Sequence, residues 1–393
     1  MRVYILRLSM VIKMNILQVI AYFTPQKGGD VNVCYNLSKQ LARRGNEVTI
    51  VTTDYELDKE FVASIEKEGV KVIPFHCIAD ICAFLVTPSI KRWLKLNINK
   101  YDIIHMHNFR SYQNNVVCHY AVKNRVPYVL QAHGSVLPYF AKIQLKKLYD
   151  FVWGYEILRG AAKAIALTST EVNQYIEMGV DENKLELIPN GIDLTQYKNL
   201  PSYGGFRNQF NINSNEKIIL FLGRIHKIKG LELLVDAFAE LLKKIYDCKL
   251  LIVGPDDGYL PVLKKQTIDL GIENKVLFTG PLYGKDKLKA YSDADVFVLP
   301  AVYDCFSVTL LESMACGTPI VTTNNGDKLD WIHNKAGIVV DYDKAQMCSA
   351  IYKILKDDSL RKNFAAEGKR SVREIYNWGN IVEEIIELYE KVL

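Results

Sequence analysis

The chain has 393 residues, of which 49% are hydrophobic, with 49 Lys+Arg against 44 Asp+Glu. This length predicts two domains, and the composition is that of an ordinary globular protein, which excludes disorder, collagen and coiled coil. The net charge of +5 is too small to argue for nucleic acid as a partner. The basic excess lies wholly in residues 1–195, which suits an anionic membrane surface, an anionic substrate, or a solvated surface with no partner.

The cysteines and the apolar segments indicate the compartment. The eight cysteines are scattered without a CxxC pair, so neither a zinc site nor a disulfide framework is predicted. No apolar run approaches the ~20 residues that a membrane span needs. Residues 1–13 resemble a short signal peptide, but Arg7 and Lys13 interrupt the apolar run. We therefore expect a cytoplasmic protein.

Both halves of the chain repeat a short apolar strand, a Gly-rich or polar turn and an amphipathic helix. In the first half the pattern predicts strands over residues 16–21, 47–52, 71–75, 102–105, 128–131 and 163–167. In the second half it predicts strands over residues 217–222, 249–253, 276–278, 296–299, 320–322 and 337–340. Apolar strands that alternate with helices indicate parallel sheets covered on both faces. The predicted architecture is α/β, with two doubly wound domains that face an interdomain cleft.

Ligands of such sheets bind at the carboxyl ends of the strands, so the loops after strands are the candidate sites. The loop after residues 217–222 contains Gly223, which permits close backbone approach, followed by Arg224 and Lys229. A guanidinium and an ammonium group that converge on one anion suit a diphosphate. A basic loop on its own is more often simply solvated.

A second candidate loop follows residues 296–299. Ser307 and Val308 lie where a helix should begin, so their amides would point at a phosphate. Asp304 precedes this helix, and Glu312 lies within it among apolar residues. A carboxylate in apolar surroundings is costly unless it has a binding or pairing partner. The two carboxylates could bind the hydroxyls of a nucleotide sugar. Taken singly, such an Asp is more often a helix cap and such a Glu a surface residue.

These segments, in this order, resemble the retaining GT-B glycosyltransferases of family 4, which have two Rossmann-like domains. The resemblance covers nearly the whole chain. It is carried by the Gly28-Gly29 pair, the Gln-Ala-His-Gly turn at 131–134, Pro-Asn-Gly-Ile-Asp at 189–193, Gly-Arg-Ile-His-Lys-Ile-Lys-Gly at 223–230, the Asp-x7-Glu segment at 304–312 with its internal Phe306, and Tyr-Asn-Trp at 376–378.

The resemblance implies a role for each matching residue. Arg224 and Lys229 would bind the donor diphosphate and stabilise it as the leaving group. Glu312 would hold the ribose, and Asp304, where the family usually has Glu, would hold the donor sugar. His133 would contact that sugar near its reacting carbon. The implied catalytic set is His133, Arg224, Lys229 and Asp304, and the implied donor-binding set is Gly28, Gly29, Gly223, Arg224, Lys229, Asp304, Phe306, Ser307, Val308 and Glu312.

The resemblance also implies the domain roles and the activity. Residues 14–193 would form the acceptor domain, completed by a closing helix at 378–393, and residues 194–377 the nucleotide-sugar donor domain. The expected reaction moves a hexose-type sugar from a nucleoside diphosphate sugar to a saccharide or lipid-linked acceptor in surface glycan or polysaccharide biosynthesis. The alternatives are a nucleotide-sugar epimerase of the same architecture and a catalytically silent nucleotide-sugar-binding subunit.

Two patterns suggest a metal, but neither is convincing. Asp293-Ala294-Asp295 spells the DxD of the other major glycosyltransferase fold, yet here it joins a helix end to a buried strand, which favours a structural role. His105 and His107 share a strand face at a spacing that ligands could have, but no third ligand is evident. We expect both histidines to line the cleft, and we expect no metal or other cofactor.

A basic and aromatic stretch over residues 139–156 has two interpretations. It carries Lys142, Lys146 and Lys147 beside Phe140, Leu145, Leu148, Tyr149, Phe151 and Trp153. Such a helix can rest on a membrane interface, which would place the protein peripherally at the inner face of the membrane. Alternatively, the aromatic residues belong to the core and the lysines are solvated.

Overall fold

The structure is a computed structural model that describes residues 13–139, 142–324 and 329–393. Residues 1–12, which carry most of the signal-like segment, and Phe140 lie outside the described residues. The chain forms two compact units. The first contains the residues up to Ala166 together with Val172–Ile188 and Val382–Leu393, and the second contains Leu167–Glu171 and Pro189–Ile381.

The first unit is built on a seven-stranded parallel sheet. Its strands are β1 (Asn15–Val19), β2 (Glu47–Thr53), β3 (Lys71–Phe75) and, after a hairpin of β4 (Ala79–Ile81) and β5 (Phe84–Val86), β6 (Ile103–His107), β7 (Tyr128–Gln131), β8 (Lys163–Ala166) and β9 (Leu185–Leu187). Its helices are α1 (Gly29–Arg43), α2 (Lys59–Glu66), α3 (Ser89–Asn97), α4 (Tyr112–Asn124), α5 (Ile143–Tyr149), α6 (Tyr155–Gly160) and most of α7 (Ser169–Glu177).

The second unit is built on a six-stranded parallel sheet. Its strands are β10 (Lys217–Leu222), β11 (Cys248–Val253), β12 (Val276–Gly280), β13 (Val296–Leu299), β14 (Ile320–Thr323) and β15 (Gly337–Val340). Its helices are α8 (Gly205–Gln209), α9 (Leu231–Leu242), α10 (Leu260–Asp269), α11 (Gly284–Asp293), α12 (Val308–Cys316), α13 (Lys344–Lys356) and α14 (Asp358–Glu374). The chain ends in α15 (Trp378–Val392), which joins the first unit from Val382 onward.

Both sheets reverse their strand order next to their first strand. The orders are β3-β2-β1-β6-β7-β8-β9 and β12-β11-β10-β13-β14-β15. The reversal therefore lies between β1 and β6 in the first unit and between β10 and β13 in the second. Loops that leave two such strands diverge and open a crevice at the carboxyl edge of the sheet, where doubly wound folds bind ligands. The predicted α/β class with two doubly wound sheets is confirmed.

The predicted strands are all present, with ends that shift by one or two residues, but the hairpin of β4 and β5 was missed. The hairpin of β4 and β5 has a tight turn at Cys82 and Ala83, both with positive φ, where such turns normally carry Asn-Gly. Residues 143–156 are helical, as expected, but not as one regular α-helix. They contain α5, a π-helical turn over Asp150–Gly154 and the start of α6.

The chain enters and leaves the second unit through paired segments. Ile192 N donates to Tyr376 O at 2.8 Å, and Trp378 N donates to Ile192 O at 3.3 Å. A Cβ at Gly191 would lie 2.9 Å from the Trp378 ring, so the two segments touch at a position without room for a side chain. This unit division differs by a few residues from the predicted limits 14–193, 194–377 and 378–393.

Candidate active site

Two loops meet at the strand-order reversal of the second unit. Val302 N donates to Ile228 O at 2.9 Å, which ties the chain leaving β13 to the loop after β10. Gly230 follows with φ +64, and a Cβ there would lie 2.0 Å from Pro300 O. Only glycine fits both this backbone conformation and this close approach. The two loops are therefore held in direct backbone contact.

This contact brings Lys229 beside Asp304. Lys229 Nζ lies 2.6 Å from Asp304 Oδ2, and the two side chains are 18% and 15% exposed. His226 fixes the turn that carries Lys229, because its Nδ1 accepts a hydrogen bond from Ile228 N at 3.1 Å. The sequence predicted both residues as site residues, but it did not predict that they form an ion pair.

Arg224 is held separately from Lys229. Its Nη1 lies 2.8 Å from Asp257 Oδ2, and both side chains are about half exposed. Asp257 belongs to the loop after β11, which packs closely on the end of β10, since a Cβ at Gly254 would lie 1.8 Å from Gly223 O. The structure therefore pairs the two basic residues with different carboxylates. Asp257 was missed, although Pro255-Asp256-Asp257-Gly258 after a buried strand is the kind of loop that could have revealed it.

Helix α12 begins where the second loop ends. Ser307 is its N-cap residue, and Ser307 Oγ lies 2.8 Å from Thr309 Oγ1 rather than accepting from a first-turn amide. The amides that begin at Val308 thus keep the anion-binding character of a helix N-terminus. The Phe306 ring instead faces the interior, stacked on Trp331 at 5.0 Å and 8% exposed. Phe306 anchors the loop by packing.

Glu312 is the buried carboxylate of α12, and it is 9% exposed. Lys287 Nζ lies 2.7 Å from its Oε1, and Tyr291 OH donates to its Oε2 at 3.1 Å. Burial first, and then the charge of Glu312, raise the pKa of Tyr197 and Tyr291 well above 10. Both phenols therefore stay protonated at neutral pH. The sequence indicated that this carboxylate needed partners, but it did not identify Lys287, Tyr291 and Tyr197.

The Asp293 and Asp295 side chains both form hydrogen bonds that hold segments of the second unit together. Asp293, 1% exposed, accepts hydrogen bonds from the backbone amides of Gly204, Phe206 and Arg207 at 2.7, 2.8 and 2.9 Å. Asp295 accepts from Ile218 N at 2.9 Å and pairs with Lys217. These contacts support the structural interpretation of the pair. Among the residues that the structure describes, no three His, Cys, Asp or Glu side chains are placed to hold a metal ion.

In the first unit, Gly28 and Gly29 lie where the chain enters α1. Gly28 has φ +150, a conformation that favours glycine, and α1 begins at Gly29. The next residue, Asp30, accepts a hydrogen bond from Asn108 Nδ2 at 2.7 Å. The loops after β1 and β6 are therefore linked at the reversal of this sheet, as the loops after β10 and β13 are linked in the other.

His133 follows β7 in a strained backbone conformation. Its φ is +53, which costs a residue other than glycine about 1 kcal/mol. Its Nε2 lies 3.0 Å from His107 Nδ1, and the two rings are nearly coplanar, with an interplanar angle of 10° and centroids 5.3 Å apart. His107 stacks in turn on His105 at 4.5 Å. The expectation that His105 and His107 line a cleft is wrong, because they are 0% and 1% exposed and lie behind His133.

The imidazoles of His105, His107 and His133 are neutral at pH 7. Burial, and then the neighbouring His133, lower the pKa of His105 to about 3. Burial alone lowers the pKa of His133 to about 3, and burial followed by the two other rings holds the pKa of His107 well below 6.5. A neutral imidazole has one N–H donor and one acceptor nitrogen. His133 can therefore form a directed hydrogen bond with a ligand but carries no charge.

The basic and aromatic stretch of the first unit is exposed. Phe151, Leu148, Leu145 and Trp153 are 80%, 60%, 58% and 45% exposed, whereas Tyr149 is buried. Among the aromatic residues that the structure describes in this stretch, the alternative of a core position is therefore wrong for Phe151 and Trp153 and correct for Tyr149. Over the described part of the chain, no helix is both long enough and apolar enough to cross a membrane.

Two family models match the chain, one in each half. The model described as Glycosyltransferase Family 4 matches residues 27–196, and the model described as Glycosyl transferases group 1 matches residues 205–371. The matches together span most of the chain. The chain therefore belongs to the glycosyltransferases that these two models describe, family 4 and group 1, and it is an enzyme of the transferase class.

Individual proteins resemble the chain over nearly its full length. An uncharacterized glycosyltransferase of Methanocaldococcus jannaschii is 28% identical over 96% of this chain and 98% of its own. The N-acetyl-alpha-D-glucosaminyl L-malate synthase of Bacillus anthracis is 26% identical over 94% of this chain and 95% of its own. Anabaena Alr3699/HepE, solved in complex with UDP and glucose, has a TM-score of 0.80 at 20% identity and covers 96% of this chain and 100% of its own. The expected GT-B fold class is confirmed.

The contact at Gly230 gives a stability prediction. Gly230→Ala should lower the free energy of unfolding by at least about 2 kcal/mol more than Gly271→Ala, measured by urea titration. Gly271 is a matched control because its φ is +66 and a Cβ there meets nothing within 4 Å. The control should cost only about 1 kcal/mol, the price of the backbone conformation. Equal losses in the two variants would show that the close approach to Pro300 does not constrain the loop.

Proposed function

We propose that this glycosyltransferase moves a hexose-type sugar from a nucleoside diphosphate sugar to a saccharide or lipid-linked acceptor, with retention of the anomeric configuration. The observation that carries the proposal is the Lys229–Asp304 ion pair, held beside the N-terminus of α12 at the strand-order reversal. A cation beside a helix N-terminus suits a diphosphate, and a carboxylate beside them suits a sugar hydroxyl. UDP and glucose in the structurally similar Alr3699/HepE support the same donor class.

Donor binding would exchange the partners of the two basic residues. Lys229 is paired with Asp304, and Arg224 with Asp257, so both cations are held near the loop after β10. A diphosphate offers each cation stronger, charge-assisted hydrogen bonds than a single carboxylate does. Once Lys229 turns to the diphosphate, Asp304 becomes free to accept a hydrogen bond from a hydroxyl of the donor sugar. Asp304 is one methylene shorter than the Glu that the family usually has.

Glu312 would bind the ribose. Its two oxygens are already held by Lys287 and Tyr291, but each carboxylate oxygen can accept a second hydrogen bond. These partners fix the carboxylate in one orientation before the ligand arrives. A ribose hydroxyl would therefore meet an acceptor that needs little reorganisation.

The proposed reaction is a front-face displacement. The diphosphate leaves toward Arg224 and Lys229, and its departing oxygen takes the proton of the acceptor hydroxyl as that hydroxyl attacks the anomeric carbon. The transition state resembles an oxocarbenium ion with negative charge growing on the diphosphate. Positive groups fixed in advance around that charge should supply the largest catalytic contribution.

Removing either cation should lower turnover. Arg224→Ala and Lys229→Ala should each reduce kcat by roughly 10²-fold or more, measured as acceptor-dependent release of the nucleoside diphosphate. Lys227→Ala is the matched control, because Lys227 lies on the same turn and is exposed. Near-normal rates in both variants would contradict the assignment.

The same assay with a panel of UDP- and GDP-linked sugars separates the other functions. Isomerisation of the donor without transfer would indicate an epimerase. Binding of the donor without any turnover would indicate a silent subunit. Donor hydrolysis or acceptor-dependent release of the nucleotide is the result that the proposal requires.

We also propose that the reaction needs no metal ion. Arg224, Lys229 and the N-terminus of α12 would meet the charge of the diphosphate. Turnover should therefore persist in excess chelator. Loss of activity that manganese or magnesium restores would contradict this, and it would direct attention back to Asp293 and Asp295.

The exposed stretch at residues 142–153 supports a peripheral contact with an anionic membrane, which a lipid-linked acceptor would require. Leu148, Phe151 and Trp153 offer apolar surface beside Lys146 and Lys147. Lys146 is partly engaged, because its Nζ donates to Tyr139 O at 2.7 Å. The basic excess of the first half of the chain has the sign that anionic lipids attract.

Vesicle binding tests this contact. Phe151→Ser should lower partitioning onto vesicles of anionic phospholipid by about tenfold or more, because a large apolar side chain no longer leaves water. Ile268→Ser is the control, since Ile268 is 63% exposed and lies on α10 of the second unit. Equal partitioning of wild type and Phe151→Ser would contradict a membrane contact through this stretch.

A further inference from the structure

A buried chain of hydrogen bonds lies behind His133 in the first unit. The rings of His105, His107 and His133 are nearly parallel, with interplanar angles of 5° and 10° between neighbours. Gln18 of β1 contacts His107, and Tyr389 of α15 contacts His105. Both Gln18 and Tyr389 are 0% exposed. The sequence analysis named His105 and His107 but did not identify Gln18 or Tyr389 as part of a site.

The position of Gln18 determines which nitrogen of His107 carries the proton. Gln18 Oε1 lies 2.8 Å from His107 Nε2, and a carbonyl oxygen can only accept, so His107 Nε2 must donate. The other nitrogen of this neutral ring, Nδ1, is then an acceptor. It lies 3.0 Å from His133 Nε2, which must therefore carry a proton. The remaining nitrogen of His133, Nδ1, is left with a lone pair.

His105 independently follows the same pattern. Gln131 Oε1 lies 3.1 Å from His105 Nε2, so that nitrogen donates, and His105 Nδ1 accepts from Tyr389 OH at 2.6 Å. Burial raises the pKa of Tyr389, so its hydroxyl keeps the proton that it donates. The two glutamine carbonyls thus give His105 and His107 the same tautomer, with the proton on Nε2.

We propose that Gln18, acting through His107, is a positioning residue that holds His133 as the neutral Nε2–H tautomer, so that His133 Nδ1 accepts a hydrogen bond from a hydroxyl of the bound sugar. The inference rests on the proposed function for the identity of the ligand. It specifies the chemistry of the contact, because an acceptor nitrogen takes a hydroxyl and disfavours a carboxylate or phosphate, which has no proton to donate at neutral pH.

The tautomer can be measured directly in the full-length protein. Histidines labelled with ¹⁵N are observed through two-bond ¹H–¹⁵N correlations, and the His133 signals are identified by their loss in His133→Asn. At pH 7 the wild type should show a protonated Nε2 and a bare Nδ1 on His133. The opposite tautomer, or an imidazolium ion, would overturn the proposal whether or not the enzyme is active.

Two substitutions of His107 test the positioning. His107→Asn keeps an acceptor oxygen near the place of Nδ1, whereas His107→Leu fills similar space without an acceptor. The Leu variant should give a mixture of His133 tautomers and lose roughly tenfold in kcat/KM, and the Asn variant should retain both properties. His119→Gln is the control, since His119 is exposed on α4. Equal losses in the Leu and Asn variants, or no loss in either, would overturn the proposal.

These measurements separate this inference from the proposed function. The inhibition constant of the free nucleoside diphosphate should stay unchanged in both His107 variants, because the diphosphate is assigned to residues of the second unit. Failure to turn over any nucleotide sugar would refute the proposed function. The His133 tautomers of the wild type and of the two His107 variants would still decide whether His107 positions it.

Discussion

The backbone contact between Gly230 and Pro300 is the constraint on which the proposed donor-binding residues depend. Parallel strands with reversed order send the loops after β10 and β13 out from neighbouring positions at one edge of the sheet. Without a side chain at Gly230 the loops meet backbone to backbone, and the short turn before it carries Lys229 onto Asp304. The ion pair is therefore a consequence of chain geometry as much as of charge.

The two units use the same topology for different chemistry. At the carboxyl edge of the second sheet, the carboxylates of Asp257, Asp304 and Glu312 each hold a cation, and the start of α12 adds positive potential. At the corresponding edge of the first sheet, the neutral imidazoles of His107 and His105 lie behind His133. Charge suits a diphosphate, which is an anion throughout the reaction. A neutral, directed acceptor suits a sugar hydroxyl.

The sequence was sufficient for the main strands of the two parallel sheets and for the loops after β10 and β13. The apolar runs that became β10 and β13 are unambiguous, and Arg224, Lys229 and Asp304 lie in the loops directly after them. Periodicity could not reveal partners that are distant in the chain. Lys287, which pairs with Glu312, lies 25 residues away from it, and Tyr389, which bonds His105, lies 284 residues away.

The errors have similar physical causes. His105 and His107 were placed on a cleft surface because alternate residues of a strand share a face, but that pattern does not tell a buried face from an open one. The exposed Phe151 and Trp153 could not be distinguished from core residues by type alone. The hairpin of β4 and β5 was missed because Cys82 and Ala83 adopt positive φ without the glycine or asparagine that signals such a turn.

On donor binding, Lys229 should exchange Asp304 for a diphosphate, and this exchange is central to the proposed function. Calorimetric titration of the wild type and of Lys229→Ala with a nucleoside diphosphate and the matching monophosphate, in the uridine or guanosine series that binds, tests this claim directly. The wild type should prefer the diphosphate by about tenfold or more, and Lys229→Ala should lose most of that preference. Equal affinities for the two nucleotides in the wild type, or an unchanged preference in the variant, would contradict the account.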